Sequence, residues 1–228
     1  MMVLYSIANL GVKQLLERLI VDHRVIAPVE EGGFFKFSRV HKSGDVRLDY
    51  SQTRLPPKFV FLPQLEGMFR YNLRDGRVTP ATQETNSTVL FGVRPCDASS
   101  ISVLDPVMGG KYTDYYYDSK RKSTIVIALS CKKPRDTCFC NTFNAGPIEG
   151  TGADLILTRI NGRYIARPVS SKGRDLIKLN RDLFRKTSKK EKEEFSSFKK
   201  ASEESMPKDF DLGKHWERLS QNFSDPLW

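Results

Sequence analysis

The residues with the clearest potential for chemistry are the four cysteines of the chain. Cys96 stands alone after an apolar run, and Cys131, Cys138 and Cys140 follow with the spacing C-x6-C-x-C. Four thiolates suit either a tetrahedral zinc ion or an iron–sulfur cluster. The spacing lacks the paired C-x-x-C knuckles of a zinc ribbon and also the usual ferredoxin run. It therefore favours an iron–sulfur cluster, which we expect to be of the [4Fe-4S] type, slightly over zinc, and cysteines without a ligand are a third interpretation.

The residues beside the cysteines suit a negatively charged group. Cys96 is expected at the start of a helix, where free backbone N–H groups and the helix dipole stabilise a thiolate. A cluster held by four thiolates carries negative charge, which cations such as Arg94 and Lys132 would stabilise. Ordinary surface charge explains Lys132 equally well. We expect Arg94, Asp97 and Lys132 to be cofactor-binding residues.

The elements that position the cysteines form a βαβ unit. Residues 88–93 and 124–129 are apolar and rich in β-branched side chains, and residues 98–105 between them have a helical pattern. Both cysteine groups would then follow the carboxyl ends of neighbouring strands, which is where open α/β sheets bind their ligands.

Two hairpins are expected outside this unit. Residues 34–40 are expected to pair with residues 46–50, and Asn161-Gly162 is a strong signal for a type I′ turn between two further strands. The residues between Gly109-Gly110 and the second strand of the βαβ unit are interpreted as an aromatic loop. The predicted fold class is α/β, with a mixed sheet, a central βαβ unit, β-hairpins and a helical C-terminal segment.

The composition is that of a folded protein that does not enter a membrane. Of the 228 residues, 39% are hydrophobic and 28% are charged, which is enough to build a core. The start of the chain does not resemble a signal peptide, and no apolar run approaches the roughly 20 residues of a membrane span. We therefore expect a cytoplasmic protein, in which clustered cysteines are more often metal ligands than disulfides.

The net charge of +10 is concentrated near the C-terminus. Residues 172–200 contain eleven Lys or Arg against five Asp or Glu. A solvated helix face explains this run, and a docking surface for an acidic protein is the sharper alternative. No nucleic-acid motif accompanies the charge, so we expect no nucleic-acid partner.

No arrangement of residues for acid–base or nucleophilic catalysis accompanies the cysteines. His23, His41 and His215 are far apart in the chain and are expected at the surface or at helix ends. The chemistry that the sequence supports is electron transfer, with no catalytic residue assigned. A zinc-stabilised scaffold or interaction module is the alternative function.

Several motifs resemble the β subunit of cytoplasmic sulfhydrogenases and the similar A subunit of anaerobic sulfite reductase. The resemblance covers most of residues 19–168. The stretches that carry it are FGVRPCDA at 91–98, SC at 130–131, TCFC at 137–140, GTGADL at 150–155, VIAPV at 25–29, PK at 57–58 and PQLE at 63–66.

The resemblance implies an electron-transfer subunit of an oxidoreductase complex. Its partners would be a flavin-containing subunit and a catalytic subunit of the nickel–iron hydrogenase or sulfite reductase type. It also implies that Cys96, Cys131, Cys138 and Cys140 are the ligands of one cluster.

Members of the family usually continue into a ferredoxin-like domain with two cysteine-rich runs, and Trp228 lies about where that domain should begin. The relay would then be completed by a ferredoxin-like dicluster domain or protein. We expect residues 1–170 to form the iron–sulfur-binding α/β domain and residues 171–228 to form a basic helical segment with a docking tail.

Overall fold

The computed structural model describes residues 3–81, 87–207, 212–222 and 224–226. Its strands are β1 (Tyr5–Ala8), β2 (Arg24–Glu31), β3 (Phe34–Arg39), β4 (Phe69–Tyr71), β5 (Val78–Pro80), β6 (Thr88–Val93), β7 (Thr124–Leu129), β8 (Leu155–Ile160), β9 (Arg163–Pro168) and β10 (Arg185–Lys186). Its helices are α1 (Asn9–Asp22), α2 (Pro95–Met108), α3 (Tyr115–Ser123), α4 (Ser171–Leu179), α5 (Lys189–Glu204) and α6 (Leu212–Gln221). Short 3₁₀ turns occupy Ser43–Asp45, Pro57–Val60 and Cys140–Phe143.

The fold is built on a mixed sheet with the strand order β10-β1-β9-β8-β7-β6-β2-β3. Strands β2, β6, β7 and β8 run parallel to one another, whereas β3 on one side and β9, β1 and β10 on the other add antiparallel pairs. The predicted α/β class, with a mixed sheet, a central βαβ unit, hairpins and a helical C-terminal segment, is therefore confirmed.

The central strands are apolar because they are covered on both faces. Every residue of β6 is buried, and its side chains alternate between two cores. Phe91 lies in the core with Leu15 and Leu16 of α1, whereas Leu90 lies in the core with Ile101 of α2. The sheet thus separates α1 from α2, and α2 connects β6 to the parallel β7.

The predicted pairing of residues 34–40 with residues 46–50 is wrong. β3 pairs instead with β2, across a turn in which Gly32 and Gly33 have φ values of 58° and 78°. Such positive φ values suit glycine, and this two-glycine turn favours the nearer partner strand. Pro28 lies within β2, beyond the residues Arg24 to Ile26 that pair with β6, so its missing N–H group interrupts no bond to β6.

The residues interpreted as an aromatic loop form helix α3. Asp114 precedes the helix, and its carboxylate accepts a hydrogen bond from the amide of Tyr117 at 2.9 Å. This is an N-cap, which outweighs the low helix propensity of three consecutive tyrosines. The hairpin predicted at Asn161-Gly162 is confirmed, since φ is 45° and 78° at these residues and β8 pairs with β9.

The C-terminal segment contributes to the sheet and to the cores. β10 pairs with β1, Phe184 and Ile177 are buried with α1, and Phe195 of α5 lies in a third cluster with Ile165. Trp216 of α6 is 73% exposed. The domain boundary at residue 170 and the docking of the tail stay predictions. No helix of the described residues is long and apolar enough to cross a bilayer.

A buried carboxylate fastens the C-terminal segment to the sheet. Glu191, at the start of α5, is 3% exposed. It accepts hydrogen bonds from Ser6 of β1 at 2.9 Å, from Arg163 of β9 at 2.7 Å and from the Ser188 amide at 2.8 Å. Arg185 of β10 forms a bidentate salt bridge with the same carboxylate, in which Nη2 and Nη1 donate to its two oxygens at 2.6 and 2.8 Å. These contacts hold the pKa of Glu191 well below its usual range, with Arg185 as the largest cause.

Replacing Glu191 with Gln should destabilise the protein by about 3 kcal/mol, because it leaves two arginines beside a buried amide. Urea unfolding followed by circular dichroism measures this. Glu193→Gln, on the exposed face of the same helix, is the control and should change stability by less than about 0.5 kcal/mol. Equal effects of the two variants would show that Glu191 does not fasten α5.

The same carboxylate should make stability depend on acid pH. Its pKa is lowered on folding, so its contribution is present above the unfolded pKa of about 4.3 and is lost as the pH falls towards the folded pKa. The free energy of unfolding of the wild type should therefore fall between about pH 5 and pH 3. The fall should be smaller in Glu191→Gln, and an equal fall in both proteins would contradict this assignment.

Candidate metal centre

A pocket of about 640 Å³ opens at the carboxyl ends of β6 and β7. Cys96 lies in the first turn of α2, directly after β6, and Cys131 lies two residues after β7. Cys138 and Cys140 lie on the following loop, and Cys140 begins a 3₁₀ turn. The structure thus brings the four cysteines to the wall of one pocket.

The four thiols are close enough to influence one another electrostatically. Each is a free cysteine in the structure. The charges of Cys131 and Cys140 act on Cys96, and the charge of Cys138 acts on both Cys131 and Cys140. The sequence separation of 35 residues between Cys96 and Cys131 is bridged by the parallel pairing of β6 with β7.

One backbone amide donates a hydrogen bond to a cysteine sulfur, that of Arg135 to Cys138 at 3.2 Å. The amide of Asp97 acts to lower the pKa of Cys96, and the amides of Cys140 and Asn141 act to lower the pKa of Cys140, although desolvation raises both pKa values on balance. Such N–H donors stabilise thiolates and tune the reduction potential of iron–sulfur clusters.

Burial opposes the charge of these thiols. Solvent reaches Cys96 through the open pocket, but the pocket walls reduce its hydration. This desolvation, followed by the nearby negative charges, raises the pKa of Cys96 to about 12. Desolvation likewise raises the pKa of Cys131 to about 11, against the lowering effect of Arg94. The thiols of Cys96 and Cys131 are therefore neutral at physiological pH until a bound metal displaces their protons.

The residue types at the pocket fit a metal group that takes thiolate ligands, since four cysteines can hold either a zinc ion or an iron–sulfur cluster. No three His, Cys, Asp or Glu side chains of the described residues are arranged to hold one metal ion. The choice of an iron–sulfur cluster over zinc therefore stays a prediction.

Arg94 places a fixed positive charge in the wall of the pocket. The residue is 8% exposed, and its Nη1 donates to the carbonyl oxygens of Leu129 and Ser130 at 3.3 and 3.4 Å. Its guanidinium lies 4.0 Å from the centre of the Tyr50 ring, which is a close cation–π contact. Nε of Arg94 has no hydrogen-bond partner in the described structure.

The other two predicted cofactor-binding residues differ in their positions. Asp97 is half-buried and lines the pocket, and desolvation raises its pKa to about 6 against the lowering effect of Arg94. Lys132 is exposed and is not among the residues that line the pocket. The roles of Arg94, Asp97 and Lys132 towards a cofactor stay predictions.

Tyr50 is a residue of the site that the sequence analysis did not identify. It is buried under Arg94, and its hydroxyl donates to the Gly92 carbonyl at 2.6 Å. Gly92 has a φ of 80°, and the β6–β7 register shifts between Phe91 and Val93. A glycine inside an apolar strand is a signal for such a bulge, but nothing in the sequence identifies Tyr50 as its partner.

Helix α5 and the residues that follow it form hydrogen bonds with the cysteine-bearing loop. The hydroxyl of Ser202 donates to the Cys131 carbonyl at 2.9 Å, and the amide of the Asn141 side chain donates to the Pro207 carbonyl at 2.9 Å. Met206, just after α5, lines the pocket. Cys131 and Asn141 are thus anchored to residues 71 and 66 positions downstream.

The glycine-punctuated loop at residues 150–152 packs against the helix that carries Cys96. A Cβ atom added to Gly152 would lie 1.9 Å from the Ala98 carbonyl oxygen. Only glycine therefore allows this close approach of the loop to the first turns of α2. The loop therefore packs directly on the first turns of α2.

The chain is similar to sulfhydrogenase 2 subunit beta of Pyrococcus furiosus. The two are 27% identical over 215 residues, which cover 94% of this chain and 63% of the relative. The chain thus spans less than two thirds of the length of this relative. The similarity supports kinship with sulfhydrogenase β subunits, as the motifs predict. No protein-family model matches the chain.

Replacing Gly152 with Ala should lower the free energy of unfolding by about 2 kcal/mol or more, because the new methyl group overlaps backbone atoms of α2. Gly146→Ala is the matched control, since no atom lies within 4 Å of its added Cβ. Urea unfolding of the two variants measures the difference. If Gly152→Ala were as stable as Gly146→Ala, the loop would not pack on α2 as described.

Proposed function

We propose that this chain is an electron-transfer subunit of a hydrogenase-type complex and that it holds one [4Fe-4S] cluster. The observation that carries the proposal is the meeting of four free cysteines at one pocket, at the carboxyl ends of two parallel strands. Its kinship with a sulfhydrogenase β subunit supports the same conclusion.

Cys96, Cys131, Cys138 and Cys140 would hold the cluster, which supplies reversible one-electron transfer when it is bound. The amide of Arg135, which donates to the Cys138 sulfur, would stabilise the added negative charge on reduction, as would the amides beside Cys96 and Cys140. Cys96 lies in the first turn of α2, and Cys140 begins a 3₁₀ turn.

Arg94, which lies in the wall of the pocket, would stabilise the negative charge that the cluster gains on reduction. Its guanidinium is held by two carbonyl oxygens and by the ring of Tyr50, so it stays near Cys131 in both redox states. A fixed cation favours the more negative, reduced form and therefore raises the reduction potential. Asp97 opposes this effect where it is ionised.

The partners that we propose follow from the family resemblance. Electrons would pass between a flavin-containing subunit and a catalytic subunit, and a ferredoxin-like dicluster domain or protein would extend the relay. The name of the relative favours a hydrogenase over a sulfite reductase as the catalytic subunit. We expect the complex in the cytoplasm.

Replacing Cys138 or Cys140 with Ser should remove most of the iron and the visible absorbance, because a cluster with a lost thiolate ligand is held poorly. Iron and sulfide are measured after anaerobic reconstitution, and circular dichroism checks the fold. Ser51→Ala, on another wall of the same pocket, is the control and should retain full iron content.

Full iron content in Cys138→Ser and Cys140→Ser would contradict the four-cysteine ligand set. A wild-type protein that binds one zinc per chain and stays colourless would instead favour the scaffold or interaction module.

A further inference from the structure

The mouth of the cysteine pocket exposes large aromatic and apolar side chains to solvent. Phe139 and Phe143 are 53% and 58% exposed, and their ring centres lie 6.0 Å apart. Val103 of α2, which is also exposed, lines the same pocket. Exposed aromatic residues that adjoin one another are typical of protein interfaces and are uncommon on inert surfaces.

The exposed charged residues that line this pocket are arginines. Arg54 and Arg135 are exposed and line the pocket together with the two phenylalanines. Arg54 lies over the ring of Phe34 at 5.3 Å, and Arg135 donates to the Gln52 side chain at 2.7 Å. The contacts described for both guanidinium groups are thus with uncharged side chains. Both positive charges could therefore pair with carboxylates of a partner protein.

We define the rim as Arg54, Val103, Arg135, Phe139 and Phe143. Among the described residues that line the pocket, Asp97 is the one that carries a carboxyl group, and it is half-buried in the wall. Arginine and aromatic residues are the types most often found at binding hot spots. A partner that fits the rim would present carboxylates around an apolar centre.

The rim also lies where electrons would have to enter or leave. Phe139 stands between Cys138 and Cys140 in the sequence, and Phe143 ends the 3₁₀ turn that Cys140 begins. A protein that covers these rings would contact the backbone that carries two of the four proposed ligands.

We propose that the rim is the docking surface for an acidic electron-carrier protein. This inference rests on the proposed function, since an electron carrier has a reason to dock at the pocket only if the pocket holds a redox centre. It assigns the docking to the rim, not to the basic run at residues 172–200.

Binding of a bacterial ferredoxin with an acidic surface tests the proposal. The probe is titrated onto the anaerobically reconstituted chain, and the dissociation constant is measured by calorimetry at low and high salt. Arg54→Glu reverses one charge of the rim, and its backbone bond to Phe35 at 2.8 Å does not depend on the side chain. Lys190→Glu makes the same change of charge on exposed α5 and is the matched control.

We expect Arg54→Glu to weaken binding at least ten-fold and Lys190→Glu to weaken it less than two-fold. Phe143→Ala should also weaken binding, but it should leave the salt dependence unchanged because no charge is removed. Basic cytochrome c, as a probe of opposite charge, should not bind.

Equal losses in Arg54→Glu and Lys190→Glu, or a larger loss in Lys190→Glu, would overturn the proposal. Binding of cytochrome c as tight as that of the ferredoxin would overturn it as well. Iron and sulfide analysis of the same samples is a separate readout. A chain without a cluster that still binds ferredoxin through the rim would refute the proposed function and leave the docking surface in place.

Discussion

β6 and β7 lie side by side and run in the same direction, with Thr88 opposite Thr124 and Phe91 opposite Ile127. This pairing brings the loops that follow the two strands to one edge of the sheet. Cys96 and Cys131 would otherwise be separated by 35 residues of chain, and the pocket between them would not exist. The pairing in turn depends on α2, which covers one face of both strands, and on α1, which covers the other.

The charge of the site is set by residues from distant parts of the chain. The ring of Tyr50 packs against the Arg94 guanidinium, and Arg94 in turn opposes the desolvation that raises the pKa of both Cys131 and Asp97. The same tyrosine holds the bulge at Gly92 through its hydroxyl. The buried Tyr50 therefore contacts both the bulge of β6, the strand before Cys96, and Arg94, the cation that would neutralise a cluster. Burial without this cation would leave the pocket poorly suited to hold negative charge.

The sequence predicts the centre of the fold well because local patterns determine it. Two apolar β-rich runs with a helical stretch between them predict the βαβ unit, and Asn161-Gly162 predicts its hairpin through the positive φ values that both residues adopt. The hairpin at residues 34–50 was predicted wrongly, because two acceptable turns compete there and the glycine pair at Gly32-Gly33 prevails. Helix α3 was missed because one capping carboxylate, that of Asp114, outweighs the pattern of the following tyrosines.

The cysteines of the candidate site could be found from the sequence, because their residue type and spacing are visible there. Their supports could not be found in this way. Tyr50 contacts Gly92 across 42 residues, and Ser202 contacts Cys131 across 71 residues. Hydrophobic patterns in the sequence do not predict such contacts, since they arise from the packing of elements that are distant in the chain. The rim could not be predicted for the same reason. Arg54 and Phe143 are far apart in the sequence and line one pocket only in the folded chain.

The central claim is that four cysteines at one pocket hold an iron–sulfur cluster. The most direct test is iron, sulfide and zinc analysis of the anaerobically purified chain, with a visible spectrum before and after dithionite. The account predicts about four irons and four sulfides per chain, with a broad absorbance that bleaches on reduction. Colourless protein that contains zinc, or no metal after anaerobic reconstitution, would contradict it.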